Sequence, residues 1–290
     1  MNPKDLTVIE HIEELRKRLF IVAVFFVLAM AGAFFVAKPI IKYLQITGES
    51  YNIELHAFDV VTPLSIYIQV IFLISFIVSS PILMYQLWAF ISPGLRDIER
   101  KATLKYIPYA FLLFLAGLSF SFFYLFPYVI KFMMGLSNEL DIQPTIGIKD
   151  YFSFLFRLTI PFGFLFQLPI VVLFFSRIGM LTPEILVRFR KYSYFGLFVC
   201  AAIIAPPELA SHLMVSIPLF MLYEISIMIS RIGYKKYLQS EEMRLKEEQE
   251  AEQKRQIEEA LELQRKQIEE LKKTIINFKI EVHPKVSVKI

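Results

Sequence analysis

Cysteine is nearly absent from this chain. Cys200 stands alone, so neither an internal disulfide nor a paired-thiol metal or redox motif can form. Histidine is scarce as well: four scattered residues supply no ligand set for a metal centre. The sequence holds no glycine-rich phosphate loop, no dinucleotide fingerprint and no nucleophile elbow. These absences argue against an enzyme and against a bound cofactor. The net charge of +4 is small, and nothing in its distribution calls for a nucleic-acid partner.

Apolar residues are what the chain has in excess. At 56% hydrophobic, a 290-residue chain would leave too much apolar surface for water. Six long apolar runs occupy residues 20–37, 63–91, 107–130, 158–175, 192–207 and 213–230. A helix needs about 20 apolar residues to cross the hydrocarbon core. The first four runs reach or approach that length, the last two are short, and Glu224 interrupts the sixth. Backbone groups in lipid must be satisfied within the segment, so the runs are expected to be helices. The first run is read as a span and not as a cleaved signal peptide, since Lys38 and Pro39 follow it directly.

Basic residues alternate with these runs. Arg16, Lys17 and Arg18 precede the first; Arg96, Arg100, Lys101 and Lys105 separate the second and third. Arg177, Arg188, Arg190 and Lys191 separate the fourth and fifth, and Arg231, Lys235 and Lys236 follow the sixth. The other connections carry only Lys38 and Lys42, then Lys131 and Lys149, then none. Short loops rich in Lys and Arg stay cytoplasmic, which places both termini of this plasma-membrane protein in the cytoplasm. Pro81, Pro108, Pro127, Pro161, Pro169 and Pro218 lie in or at the ends of spans and bend them, favouring a cupped bundle over a straight one. The long outer connections, residues 38–62 and 131–151, are expected to cap it.

Four regions follow. Residues 1–19 read as an amphipathic cytoplasmic helix, with Thr7 and Glu10 at capping-box spacing and Val8, Ile12, Leu15 and Leu19 on one face. Such a helix lies at the headgroups and leads into the first span. Residues 20–232 form the transmembrane domain. Residues 233–275 are a charged cytoplasmic helix in which Ile257, Leu261, Gln264, Ile268, Leu271 and Ile275 recur alternately four and three apart. That spacing fits a coiled-coil seam, and a plain solvated helix fits it too. In the 276–290 tail, alternation of Phe278, Ile280 and Val282, then Val286, Val288 and Ile290, suggests two short strands.

Polar groups at membrane depth are candidates for a task, because their desolvation is costly. Gln167 stands two residues before Pro169 in the fourth span, either as a contact for a partner helix or as a donor to the carbonyl that proline frees. Glu208 lies in the turn Pro206-Pro207-Glu208, and Glu224 near the cytoplasmic end of the sixth run, where a loop arginine would satisfy it. Glu99 is an acid among Arg96, Arg100 and Lys101 at the mouth of the bundle, so it either only offsets Arg96 or Arg100 locally or is a candidate for a task.

Several of these segments resemble one family. Residues 11–19, His-Ile-Glu-Glu-Leu-Arg-Lys-Arg-Leu, are similar to the amino-terminal motif of TatC, the receptor component of the twin-arginine protein translocase. Residues 85–95 followed by Glu99 and Arg100 resemble its first cytoplasmic loop, and Phe166-Gln167-Leu168-Pro169 its fourth helix. Leu181-Thr182-Pro183-Glu184 resembles its second cytoplasmic loop, and Pro206-Pro207-Glu208 with Tyr223-Glu224-Ile225 its final hairpin. The resemblance implies a receptor for twin-arginine signal peptides on folded cargo, working with TatA-type single-span partners, self-associating, and driven by the proton-motive force. It implies that Glu14 and Glu99, beside Arg16 and Arg100, bind the peptide, and that Gln167, Glu208 and Glu224 are intramembrane polar contacts. Two positions depart from the family: many relatives carry Glu at Gln167 and Asp at Glu208. A small secondary transporter is the alternative, or a membrane scaffold dimerising through the C-terminal helix. Solute flux would favour the transporter; binding lost when paired arginines become lysines would favour the receptor.

Overall fold

In the computed structural model, residues 8–49, 55–94, 100, 103–142, 145–205 and 209–282 are described. Helix α1 (Val8–Glu49) is one rod of 42 residues. The amphipathic lead-in and the first apolar run are therefore continuous, because no Gly or Pro falls between Val8 and Ala31 to break the ladder. The helix also passes Pro39 into the connection after the first apolar run, so it outruns its apolar stretch. Thr7, the expected cap, lies outside the described residues.

Helix α2 (Thr62–Ile91) begins with Pro63 in its first turn, where a missing N–H costs nothing. Farther along, Pro81 withholds the donor that the Ile77 carbonyl would take, and the Ser80 hydroxyl donates to that carbonyl at 2.8 Å instead. A short 3-10 turn, Ser92–Gly94, ends the segment. The third span is α3 (Tyr106–Phe120) and α4 (Phe126–Glu139), joined by a π turn at Ser121–Leu125. The wider turn stands directly before Pro127, whose ring would clash with a carbonyl of regular spacing. The fourth span is likewise two pieces, α5 (Ile148–Leu165) and α6 (Leu168–Arg177), parted at Phe166 and Gln167 ahead of Pro169. Helices α7 (Pro183–Arg188), α8 (Arg190–Ile204) and α9 (Leu209–Val282) complete the order.

Lipid tails are as apolar as leucine, so close contact rather than expulsion from water holds such helices together. Gly163 shows how close: a Cβ there would stand 2.7 Å from Phe114 Cε2, so the third and fourth spans meet only because glycine occupies the site. Gly117 does the same from the other side, 2.7 Å from the Phe162 carbonyl oxygen. The fourth and sixth spans approach through Ser176 and Ser230, whose hydroxyls lie 2.7 Å apart. Strand β1 (Leu55–His56) pairs in parallel with β2 (Ile146–Gly147), joining the two long connections after the first and third spans. Buried Tyr151 fastens this end, donating its hydroxyl to the Leu44 carbonyl at 3.1 Å.

Among the described residues, five helical stretches are long and apolar enough to cross a membrane. Helix α8, with 15 residues, is the short one. It reaches about 22 Å at 1.5 Å per residue, against a hydrocarbon core of about 30 Å. With α8 as the short fifth span, the chain is an all-α, six-span, multi-pass membrane protein. The molecule divides into two compact units, residues 1–235 and 236–290. In the first, a groove of about 510 Å³ opens between α2 and α5, lined by Gln69, Phe72, Phe76, Ser153 and Phe164. In the second, Arg244 pairs with Glu241 at 3.1 Å and Glu248 at 3.5 Å along the helix surface. Helix continues through Val282, so Phe278, Ile280 and Val282 are helical and not a strand. A helix already running costs little to extend, which outweighs a brief alternation. Residues 283–290 lie outside the described residues.

Candidate functional site

Helical spacing decides which acids of α1 meet which bases. Glu14 and Arg18 are four apart, an acid preceding a base, which puts both on one face. Arg18 Nε donates to Glu14 Oε1 at 3.0 Å, and Nη2 donates to the same oxygen at 2.5 Å. The third arm of the guanidinium crosses to the next helix, where Nη1 donates to Gln86 Oε1 at 3.3 Å. Glu14 and Arg18 are each about a quarter exposed, sheltered enough for these charge-assisted bonds to persist. Glu13, one residue earlier, faces elsewhere: it pairs with Lys17 at 3.2 Å and with Arg16 at 3.8 Å. Arg16 is 77% exposed, so it stands on the open side of α1 and not beside the Glu14 carboxylate.

Near Gln86, the end of α2 is tied to Thr103, which precedes α3. Trp88 Nε1 donates to Thr103 Oγ1 at 3.0 Å, and the Thr103 hydroxyl donates to the Arg100 carbonyl at 3.3 Å. Tyr85 rests against Trp88 with ring centroids 6.0 Å apart. This frame fixes the backbone at Arg100 and leaves its side chain exposed. Glu99 lies outside the described residues, as does Glu208.

Gln167 is placed by the break in the fourth span. As the residue before α6, it turns its amide across to the third span and donates to the Ala110 carbonyl at 3.0 Å. The carbonyl it satisfies is thus on a neighbouring helix, not the one Pro169 frees. Glu224 ties the last two spans together. Arg190 Nη2 donates to its Oε2 at 3.0 Å, Arg190 Nε stands 2.9 Å from Oε1, and the Tyr194 hydroxyl donates to Oε1. Tyr223 extends the network, donating to the Leu186 carbonyl at 2.9 Å and accepting from Ser193 at 3.0 Å. Between the fourth and fifth spans, Thr182 caps α7 by accepting from the Ile185 N–H. The backbone N–H of Glu184 and the Thr182 hydroxyl hold the Glu184 carboxyl below its ordinary range.

The candidate residues therefore fall in separate places: Glu14 at α1–α2, Gln167 between the third and fourth spans, and Glu224 between the fifth and sixth. Arg18 and Gln86 were the contacts sequence reasoning missed. The four-residue spacing from Glu14 pointed to Arg18, and Gln86 sits inside the loop motif.

Three comparisons bear on identity. The family model described as Sec-independent protein translocase protein (TatC) matches residues 10–218. TatCy, a Sec-independent protein translocase protein of Bacillus subtilis, is 53% identical over 240 residues, covering 83% of this chain and 94% of its own. A TatC of Aquifex aeolicus is 36% identical over 230 residues, covering 78% of this chain and 95% of its own. A crystal structure of a twin arginine translocase receptor, TatC, superposes with a TM-score of 0.70 at 36% identity, over 77% of this chain and 99% of that one. The chain belongs to the TatC family of Sec-independent protein translocase proteins.

Proposed function

We propose that this chain is a receptor for signal peptides with paired arginines, and that it reads them at the cytoplasmic ends of α1 and α2. With single-span TatA-type partners it supports export of folded proteins driven by the proton-motive force. The observation that carries the reading is the Glu14 carboxylate, which already binds a guanidinium. Two nitrogens of Arg18 converge on Oε1. A second guanidinium approaching Oε2, or replacing Arg18 outright, meets an acceptor of suitable chemistry in a partly dry setting. Lysine, a point charge without a planar edge, reproduces this poorly. Glu99 supplies the second acid of the pair in this reading, while Arg16 and Arg100 rim the site from the two cytoplasmic elements.

Orientation follows from the basic connections, which place the termini and this site in the cytoplasm. The short α8 supports a further part of the reading, since hydrophobic mismatch thins the surrounding bilayer. Gln167, Glu208 and Glu224 serve there as polar contacts or supports for a partner helix in the membrane. Glu224, engaged by Arg190 and Tyr194, acts by fixing the surface that α8 and α9 present.

A photo-reactive residue in place of Gln86 tests the location of the site. A twin-arginine peptide should cross-link there in membranes, and the yield should fall when its arginines become lysines. Equal yields from both peptides would remove the assignment.

A further inference from the structure

The family model matches residues 10–218 and assigns no task to the helix beyond Lys235. Its seam is open. Ile257, Leu261, Ile268, Leu271 and Ile275 are each more than half exposed, although such side chains usually seek cover. They fall in one heptad frame, with Leu261, Ile268 and Ile275 at a and Ile257, Gln264 and Leu271 at d.

We propose that this face packs against the same face of a second copy of the chain, as a parallel, in-register, two-stranded coil. Three features select that occupant and that direction. The first is Gln264, the one polar residue in the seam. In register it meets Gln264 of the second copy, and each amide offers both a donor and an acceptor. Reversed about the same seam, it would face Ile268 and bury an unpaired amide, at a cost of about 1–3 kcal/mol.

Charge is the second feature. The e positions hold Glu258, Arg265 and Lys272, while the g positions hold Ala260 and Gln267. A parallel pair sets e against g, so Arg265 meets Ala260 and Lys272 meets Gln267 without conflict. In the reversed register e faces e, which sets Arg265 against the second copy's Arg265 at the centre of the seam, while Glu258 and Lys272 pair at its ends. The third feature is the membrane. Two copies inserted alike send this helix out with the same polarity, so only the parallel pairing is within easy reach. Three heptads make a weak seam in free solution, but two copies confined to one bilayer meet at a high effective concentration.

Cysteine cross-linking of the full chain in its membrane tests this, starting from Cys200→Ala. Copies carrying Gln264→Cys should form a disulfide with each other under mild oxidation, because facing d positions lie within disulfide reach. Copies carrying Lys266→Cys, on the outer f position, should not. Mixed, differently tagged copies carrying Ile257→Cys and Ile275→Cys should pair like with like, and adding Ile268→Lys should abolish the product. A disulfide between positions 257 and 275 would show the reverse direction and overturn the proposal. So would yields at 257, 264 and 275 no higher than at 266, as expected if the seam covers itself with another protein or stays bare.

Discussion

Glu14 and Glu224 are the same side chain on different helices, each paired with an arginine, yet the two pairs are bonded differently. Arg18 places both its bonds to Glu14 on one carboxylate oxygen, and the pair belongs to a single helix. Arg190 engages both oxygens of Glu224, Tyr194 adds a third contact, and the bonds run between α8 and α9. Exposure would rank them wrongly. Glu224 is 40% exposed and Glu14 only 24%, so the more open acid is the one more fully bonded. What separates them is which bonds the fold depends on. Breaking Glu14–Arg18 frees one side chain of a helix that stands regardless, whereas breaking Glu224–Arg190 loosens two spans from each other.

The largest expected effect follows directly. Glu14→Ala should weaken twin-arginine peptide binding by about 1.5–3 kcal/mol, tenfold or more, the range for a bond to a charged group. Thermal unfolding in detergent should hardly change. Binding that survives intact, alongside a lowered unfolding temperature, would make Glu14 another strut.

Glu224→Ala should show the opposite profile. Arg190 and the Tyr194 hydroxyl lose their acceptor, and after discounting for the partial exposure the loss of stability is about 1 kcal/mol. Peptide affinity should stay within about twofold, well under the tenfold that 1.4 kcal/mol represents. A drop in affinity equal to that of Glu14→Ala would merge the two sites and dissolve the contrast.

A smaller effect sharpens it further. On the proposed reading Arg18 competes with a cargo arginine for the carboxylate, so Arg18→Gln should tighten peptide binding by about 0.5 kcal/mol, the scale of a part-exposed ion pair. A comparable loss would instead make Arg18 a positioning residue for Glu14. Isothermal titration on the same protein preparation distinguishes the two.

The sequence made the spans legible because each needs a long apolar run, and Pro127 and Pro169 mark the two interrupted spans because proline withholds a donor. It did not disclose that α1 continues unbroken from Val8 to Glu49, since a change from amphipathic to wholly apolar alters what a helix touches without interrupting its hydrogen bonds. Alternation at Phe278, Ile280 and Val282 misled for a related reason: a short period-2 pattern cannot stop a helix in progress. In the site, Glu14 was readable from its motif, but Gln86 as a partner was not. Residues 18 and 86 meet only because of the rotation at which α1 packs on α2, and no local pattern encodes that angle. For Glu224 the sequence did point to a loop arginine, but only the packing of α8 on α9 picks out Arg190, 34 positions away.

The most direct test of the central claim is a double-mutant cycle across the proposed contact. Affinity is measured for twin-arginine and twin-lysine peptides against the unaltered protein and against Glu14→Ala. The account predicts that removing Glu14 costs the arginine peptide tenfold or more and the lysine peptide little, a coupling of roughly 1 kcal/mol or greater. Equal losses for both peptides, or none for either, would contradict it.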